Sequence, residues 1–344
     1  MKKSQAFLKQ TLFVVVIMFY GLPCFADASH GAPVVFEPPV STYSIVAYDR
    51  DRNEMGVAVQ SCYFVVGPTV IWTEPGVGVV ATQAYVDIAY GPLGLELMRG
   101  GKTAPQALKA LLAGDPGANM RQVAMIDKDG NVASYTGPRA TPATGNLKGK
   151  NYSVQGNLLD NDEVWRSMAP AFEHAQGSLA RRMLAALKAA ESHGGDLRCR
   201  QSAALKVVRI RPQGPAYRNV VVDLRVDDHP HPLEELERLL TIREAMELVG
   251  QSGQALRKGK LETAEQLFKQ AIQKVPDKKE WRFWHGLFLV LSGYEKEGVK
   301  WLKELVEEEP QFFILWQRLP GTGPFKIDET VHHRVLEAIR PEGN

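Results

Sequence analysis

The 344-residue chain has only three cysteines, too few for a disulfide scaffold or a multi-cysteine zinc ribbon. It has almost no charge excess: 41 Lys+Arg face 39 Asp+Glu, a net of +2. That balance disfavours a nucleic-acid binder or a polybasic membrane-surface protein, both of which need clustered surplus cations. No clean apolar run reaches the roughly 18 residues of an ordinary membrane span. The phosphate-loop pattern GxxxxGK[ST], the HExxH zinc motif and CxxC are all missing. GVGVV at 76–80 lies inside a strand pattern and is not a dinucleotide loop.

What remains is an ordinary globular composition, 44% hydrophobic and 23% charged. The length suits two domains, or one large domain with an appendage.

The first residues read as an export leader, 1–28. Lys2, Lys3 and Lys9 precede the apolar run Leu12–Phe25, Pro23 breaks it, and Ala26 and Ala28 fit a signal-peptidase site. Removing the leader leaves a neutral chain in an exported, periplasmic setting, with no membrane span. Cys62 and Cys199 would then meet oxidising conditions. They either pair or stay as two buried free thiols, and the frequency of buried free cysteine favours the thiols. Residues 29–41 (SHGAPVVFEPPVS) are proline-rich and aperiodic, a linker or pro-segment.

Regular structure begins at Thr42. TYSIVAYD and GVAVQS read as a hairpin, and PTVIWTEPGVGVVATQA as further strand broken at Pro75-Gly76. The period then becomes helical in YGPLGLELMRGG and TAPQALKALLAGDP, the second capped by Thr103 with Pro105 in its first turn. RQVAMIDKDGNVASYTG is a hairpin turning at 128–131, and YSVQGNLL is another strand. Two amphipathic helices follow, the first capped by Asn161 or Asp162 and the second closed by Gly194, then the strands RQSAALKVVRI and YRNVVVDLRVDD. Helices in pairs between groups of strands favour α+β, with stacked antiparallel sheets covered by helices, over a doubly wound parallel sheet.

From residue 241 the chain reads as helical to its end. Gly259, Phe268, Ala271 and Pro276 recur as Gly293, Leu302, Leu305 and Pro310, and Ala264 maps on Gly298. A helix–turn–helix period of about 34 residues resembles the tetratricopeptide repeat, most clearly in ALRKGKLETAEQLFKQAIQKVPD. Two copies are too few to stand alone, so they are expected to pack on residues 233–250 and on a last helix around 331–339.

The string Asp227-Asp228-His229-Pro230-His231 is the most metal-like in the chain, with Asp228 and His229 as candidate ligands. It also joins a strand to a helix, where an acidic residue or His231 would cap and Pro232 would open the first turn. Capping is the preferred reading, so no metal and no cofactor are expected.

TYSIVAYD (42–49), GVAVQS (56–61), GVGVVATQAYVDIAYGPLGLELM (76–98), RQVAMID (121–127), YSVQGNLL (152–159), RQSAAL (200–205) and DLRVDDHPHPLEEL (223–236) together resemble the bacterial DUF1028 family. That family is similar to the N-terminal nucleophile (Ntn) hydrolases. The resemblance implies a four-layer αββα sandwich over residues 42–240, with the helical tail at 241–344. It also implies a nucleophile at the first position of a strand, here Thr42, with Ser41 and Ser44 as neighbours. In such enzymes the freed α-amino group, with an ordinary pKa of about 7.7–8.0, is the base. Oxyanion donors would come from strand-end amides, and the candidates are Gln60, Ser61, Gln83, Gln155 and Asn157, with Arg200 for a carboxylate. Thr42, Gln83, Gln155 and Asn157 are expected to face one cleft.

Thr42 does not follow a leader directly: a cut after Ala28 exposes Ser29. Catalysis by Thr42 thus requires a second cleavage. Two readings follow. One is an exported Ntn-type amidohydrolase acting on a small amide or peptide-like substrate. The other is a non-catalytic exported binding module. In both, the tail docks a protein partner or a second copy in a homodimer.

Overall fold

The computed structural model describes residues 40, 42–323 and 326–341. The leader 1–28, its cleavage site, and the segment 29–41 apart from Val40 lie outside the described residues.

Among the described residues, ten strands form two antiparallel sheets. The larger has the order β10-β9-β2-β1-β8-β7 and the smaller β3-β4-β5-β6. In the larger, β1 (Thr42–Asp49) lies between β2 (Glu54–Ser61) and β8 (Tyr152–Asn157), followed outward by β9 (Ser202–Arg209), β10 (Val220–Val226) and β7 (Gly145–Gly149). The smaller holds β3 (Ile71–Glu74), β4 (Gly78–Ala84), β5 (Arg121–Asp127) and β6 (Val132–Thr136).

The period-2 alternation of β1 divides its side chains between two apolar layers. Tyr43, Ile45 and Ala47 join the core under α4 (Glu163–His174) and α5 (Leu179–Ser192). Val46 and Tyr48 join a core between the sheets, with Val57, Val59, Val79, Ala81, Ala124 and Ile126. The helices α2 (Tyr90–Arg99) and α3 (Ala104–Gly114) cover the other face of the smaller sheet through Leu95, Met98, Ala107 and Leu108. Thr103 caps α3 with a full capping box to Gln106.

Three features depart from the expectations. A third helix, α6 (Pro232–Arg257), shares the larger sheet's helical layer through Leu233, Leu236 and Leu240, and runs on through residue 240 into the tail. The edge strand β7 has the sequence GNLKG, which carries no alternation; its pairing with β8 defines it. A short helix, α1 (Val66–Val70), precedes β3.

The tail contains α7 (Leu261–Lys274), α8 (Lys279–Leu291), α9 (Glu295–Glu308), α10 (Gln311–Arg318) and α11 (Glu329–Ala338). The boundaries of α7 and α9 coincide after the sequence period is applied. Gly259 and Gly293 occupy equivalent left-handed turns at φ 69° and 86°. The helix crossings are equivalent too. Ser252 donates to the Ala264 carbonyl in the first. In the second, a Cβ on Gly298 would meet the Gly286 carbonyl oxygen at 2.6 Å.

Cys62 and Cys199 form a disulfide, with a Cα–Cα separation of 5.0 Å. The expectation of free thiols is therefore corrected. Ser61 of β2 lies opposite Ser202 of β9, and this register brings the flanking cysteines together. Among the described residues, no helix is long and apolar enough to cross a membrane.

Candidate active site

Thr42 is the first residue of β1, paired with Ser61 on one side and Asn157 on the other. It is fully buried. Its Oγ1 donates to the Val40 carbonyl at 2.9 Å and lies 3.2 Å from Ser61 Oγ. Its own carbonyl accepts from Gln83 Nε2 at 3.2 Å and faces Asn157 Nδ2 at 3.5 Å.

Behind Thr42 lies a layer of buried amides and hydroxyls between the sheets. Ser44 Oγ donates to Gln83 Oε1 and accepts from Gln155 Nε2, both at 2.6 Å. Ser153 Oγ donates to Gln155 Oε1 at 3.0 Å. Gln122 of β5 organises the layer. Its Nε2 faces the carbonyls of Gly156 (2.9 Å) and Gly145 (3.1 Å) and the hydroxyls of Thr136 (3.0 Å) and Thr144 (3.3 Å). Its Oε1 is thereby turned toward Gln83 Nε2 at 2.7 Å and Asn157 Nδ2 at 3.0 Å. An acceptor there obliges both amides to present N–H groups, which then reach the Thr42 carbonyl.

The structure thus gathers Thr42, Ser61, Gln83, Gln155 and Asn157. It buries them instead of placing them around an open cleft, because the chain at Val40 crosses above. Val40 exchanges both backbone hydrogen bonds with Ala84 at the end of β4 (2.8 and 3.1 Å), and its side chain is 1% exposed. Ala84 has φ +69°, an uncommon conformation for a residue with a Cβ. Arg121 braces the following turn: its guanidinium donates to the Tyr85 carbonyl at 2.6 Å and pairs with Asp115 at 2.8 Å. The Arg121 contact holds the Asp115 carboxyl below the usual carboxylate range.

Gln60 and Arg200 lie elsewhere. Gln60 is opposite Tyr43 and so faces the helical layer, where its buried amide has no partner among the described residues. Arg200 pairs with Glu191, which also accepts from the Tyr43 hydroxyl. Burial pushes the Tyr43 phenol well above its usual pKa, with Asp196 adding to the effect and Arg200 opposing it. The capping expectation at 227–231 holds in position, with His231 at the N-cap of α6 and Pro232 opening its first turn, but not in hydrogen bonding. The His231 side chain makes no cap bond, while its backbone amide donates to His229 Nδ1 at 3.0 Å. Asp228 accepts from Gln201 at 3.1 Å. Among the described residues, no group of three or more His, Cys, Asp or Glu is placed to hold a metal ion.

Gln122, Arg121 and Ala84 were not singled out by the sequence. Gln122 is the second residue of the quoted strand RQVAMID, but its importance arises from lying directly opposite Gln83.

The class is thus an α+β protein with two antiparallel sheets and a C-terminal helical region. Residues 42–236 match the family described as a family of unknown function, DUF1028, and the chain belongs to it. The solved structure of protein SPO2555 from Silicibacter pomeroyi, which carries the same family description, is similar at 31% identity with a TM-score of 0.52. The similarity covers 58% of this chain and 88% of that one. A comparison with curated proteins found no match.

Proposed function

We propose that this chain is an exported Ntn-type amidohydrolase whose nucleophile is Thr42, freed by removal of residues 1–41. The observation that carries the reading is the Thr42 hydroxyl, held at the start of a central strand 2.9 Å from a peptide carbonyl oxygen. The family match also begins at Thr42. Once freed, the α-amine takes the Oγ1 proton as Oγ1 attacks the substrate carbonyl carbon. The C–N bond then breaks, and the ammonium returns the proton to the leaving amine. Water hydrolyses the resulting ester by the same proton path and restores the hydroxyl.

The helical layer on the outer face of each sheet supports the Ntn-like sandwich, and the equivalent crossings support the tetratricopeptide-like tail, a docking surface for a protein partner. The leader pattern and the disulfide support export to an oxidising, periplasmic compartment. The binding-module reading draws on the burial of Thr42 beneath Val40.

N-terminal sequencing of the secreted protein separates the two: a start at Thr42 is expected for the enzyme and Ser29 for the binder. A threonine-reactive β-lactone should acylate Thr42 in the cut chain, detected by the mass of its N-terminal peptide. Thr42→Ala should abolish the adduct and Thr42→Ser should retain it. An adduct of equal yield on Thr42→Ala refutes the assignment.

A further inference from the structure

The short strand β3 pairs with β4 only as far as Ala81, opposite Ile71. Beyond it, the end of β4 has an open edge, and Val40 occupies that edge at Ala84. Val40 N–H donates to the Ala84 carbonyl, and Ala84 N–H donates to the Val40 carbonyl. The Val40 side chain enters the apolar core between the sheets, against which Tyr63 and Val86 pack. One carbonyl oxygen therefore has Thr42 Oγ1 at 2.9 Å and the Ala84 nitrogen at 3.1 Å. In acyl transfer the nucleophile approaches the carbonyl carbon while the oxyanion donor holds the oxygen; the Val40 carbonyl, hydrogen-bonded by both the hydroxyl and the Ala84 N–H, marks where a substrate carbonyl could lie within reach of both groups.

We propose that Val40 marks the acyl subsite: the substrate is an extended peptide-like amide with a small branched apolar residue before the scissile bond, bound as an added strand on β4 with Ala84 N–H as oxyanion donor. This rests on Thr42 being the nucleophile. The amides of Gln83 and Asn157 are engaged by the Thr42 carbonyl, which leaves the backbone donor for the substrate. The left-handed Ala84, braced through Arg121 and Tyr85, aims that donor. Adding a strand to an open edge takes affinity from the backbone and selectivity from the side-chain pocket.

The test replaces residues 38–41 with a site-specific protease sequence, folds the full chain, then cuts it so that it begins at Thr42. Acetyl-Glu-Pro-Pro-Val-carboxamide, the sequence of 37–40, is compared with two analogues, one carrying Asp for Val and one N-methylvaline. The valine peptide should bind at least tenfold more tightly than either and slow hydrogen exchange at the Ala84 amide. Equal binding of all three, or no effect at Ala84, overturns the proposal. In the uncut full chain, Val40→Asp should speed Ala84 exchange at least tenfold while β5 amides stay protected; unchanged exchange also overturns it. β-Lactone labelling separates the two claims. Labelling of Thr42 with no peptide preference leaves the nucleophile and removes the subsite. Valine-selective binding without labelling leaves the subsite and removes the nucleophile.

Discussion

Gln122 and Gln83 lie directly opposite each other on β5 and β4, and the Gln122 oxygen accepts from the Gln83 amide at 2.7 Å. The four partners of Gln122 Nε2 lie on the far side of its amide, so its oxygen has one orientation, toward Gln83 and Asn157, and that orientation extends through both amides to the Thr42 carbonyl.

Gln122→Leu should therefore destabilise the protein by about 2–4 kcal/mol, since it leaves buried donors and carbonyls without partners. Gln60→Leu, equally buried, should change stability by less than about 1 kcal/mol or raise it, because the Gln60 amide has no hydrogen bond to lose among the described residues. Urea unfolding of the two variants measures the contrast, and equal losses would contradict it.

The tail contains an acid-sensitive contact. Glu265 lies 2.8 Å from His285 Nε2 and accepts from Trp301 Nε1 at 3.1 Å, with His285 stacked on Phe268. Burial raises its pKa, but His285, Trp301 and Lys269 outweigh that and hold it below the ordinary glutamate value. A depressed folded pKa gives stability that is present above the unfolded value, near 4.5, and lost as pH falls through the lowered value. Glu265→Gln should flatten the loss of tail stability between pH 6 and about pH 3, as thermal melts at each pH would record.

Gly298→Ala should cost about 1–3 kcal/mol, because the new methyl group would overlap the Gly286 carbonyl and Val290 Cγ2, both at 2.6 Å. Gly250→Ala, with nothing within 4 Å of the added atom, should be neutral or slightly stabilising through helix propensity. Thermal melts of both variants check the pair.

Ending the chain at Gly250 should leave both sheets folded. The residues that tie α6 to the sheet are Leu233, Leu236 and Leu240, with Arg181–Glu244 and the Arg243 bond to the Val221 carbonyl, all retained. Amide exchange of β1 and β2 in the truncated protein should match that of the full chain; rapid exchange would make α7–α11 part of the same cooperative unit.

Much of this architecture was legible. Alternation in 42–61, the turn at 128–131 and the Thr103 cap are local signals, and each formed as its neighbours dictated. Gln155 and Asn157 stand two apart on one strand, so a shared face could be read directly. The same rule excludes Gln60 from the face of Ser61, a signal the residue types alone obscured. The disulfide, β7, and the hub at Gln122 depend on which strands become neighbours, and no short window of sequence carries that. The covering of Thr42 was also hidden: EPPVS has no strand pattern, and the bridge of Val40 to Ala84 depends on the edge that β4 presents.

The disulfide makes part of the chain a closed loop. Its two half-cystines are 137 positions apart, and between them lie β3 to β8 with α1 to α5, including the whole smaller sheet. Topologically the oxidised protein is a ring with two arms, β1–β2 on one side and β9 through the helical tail on the other. A single backbone cut within the ring, for instance in the turn between β6 and β7, leaves one covalent molecule of unchanged mass apart from the added water. Its two pieces separate on a denaturing gel only after reduction.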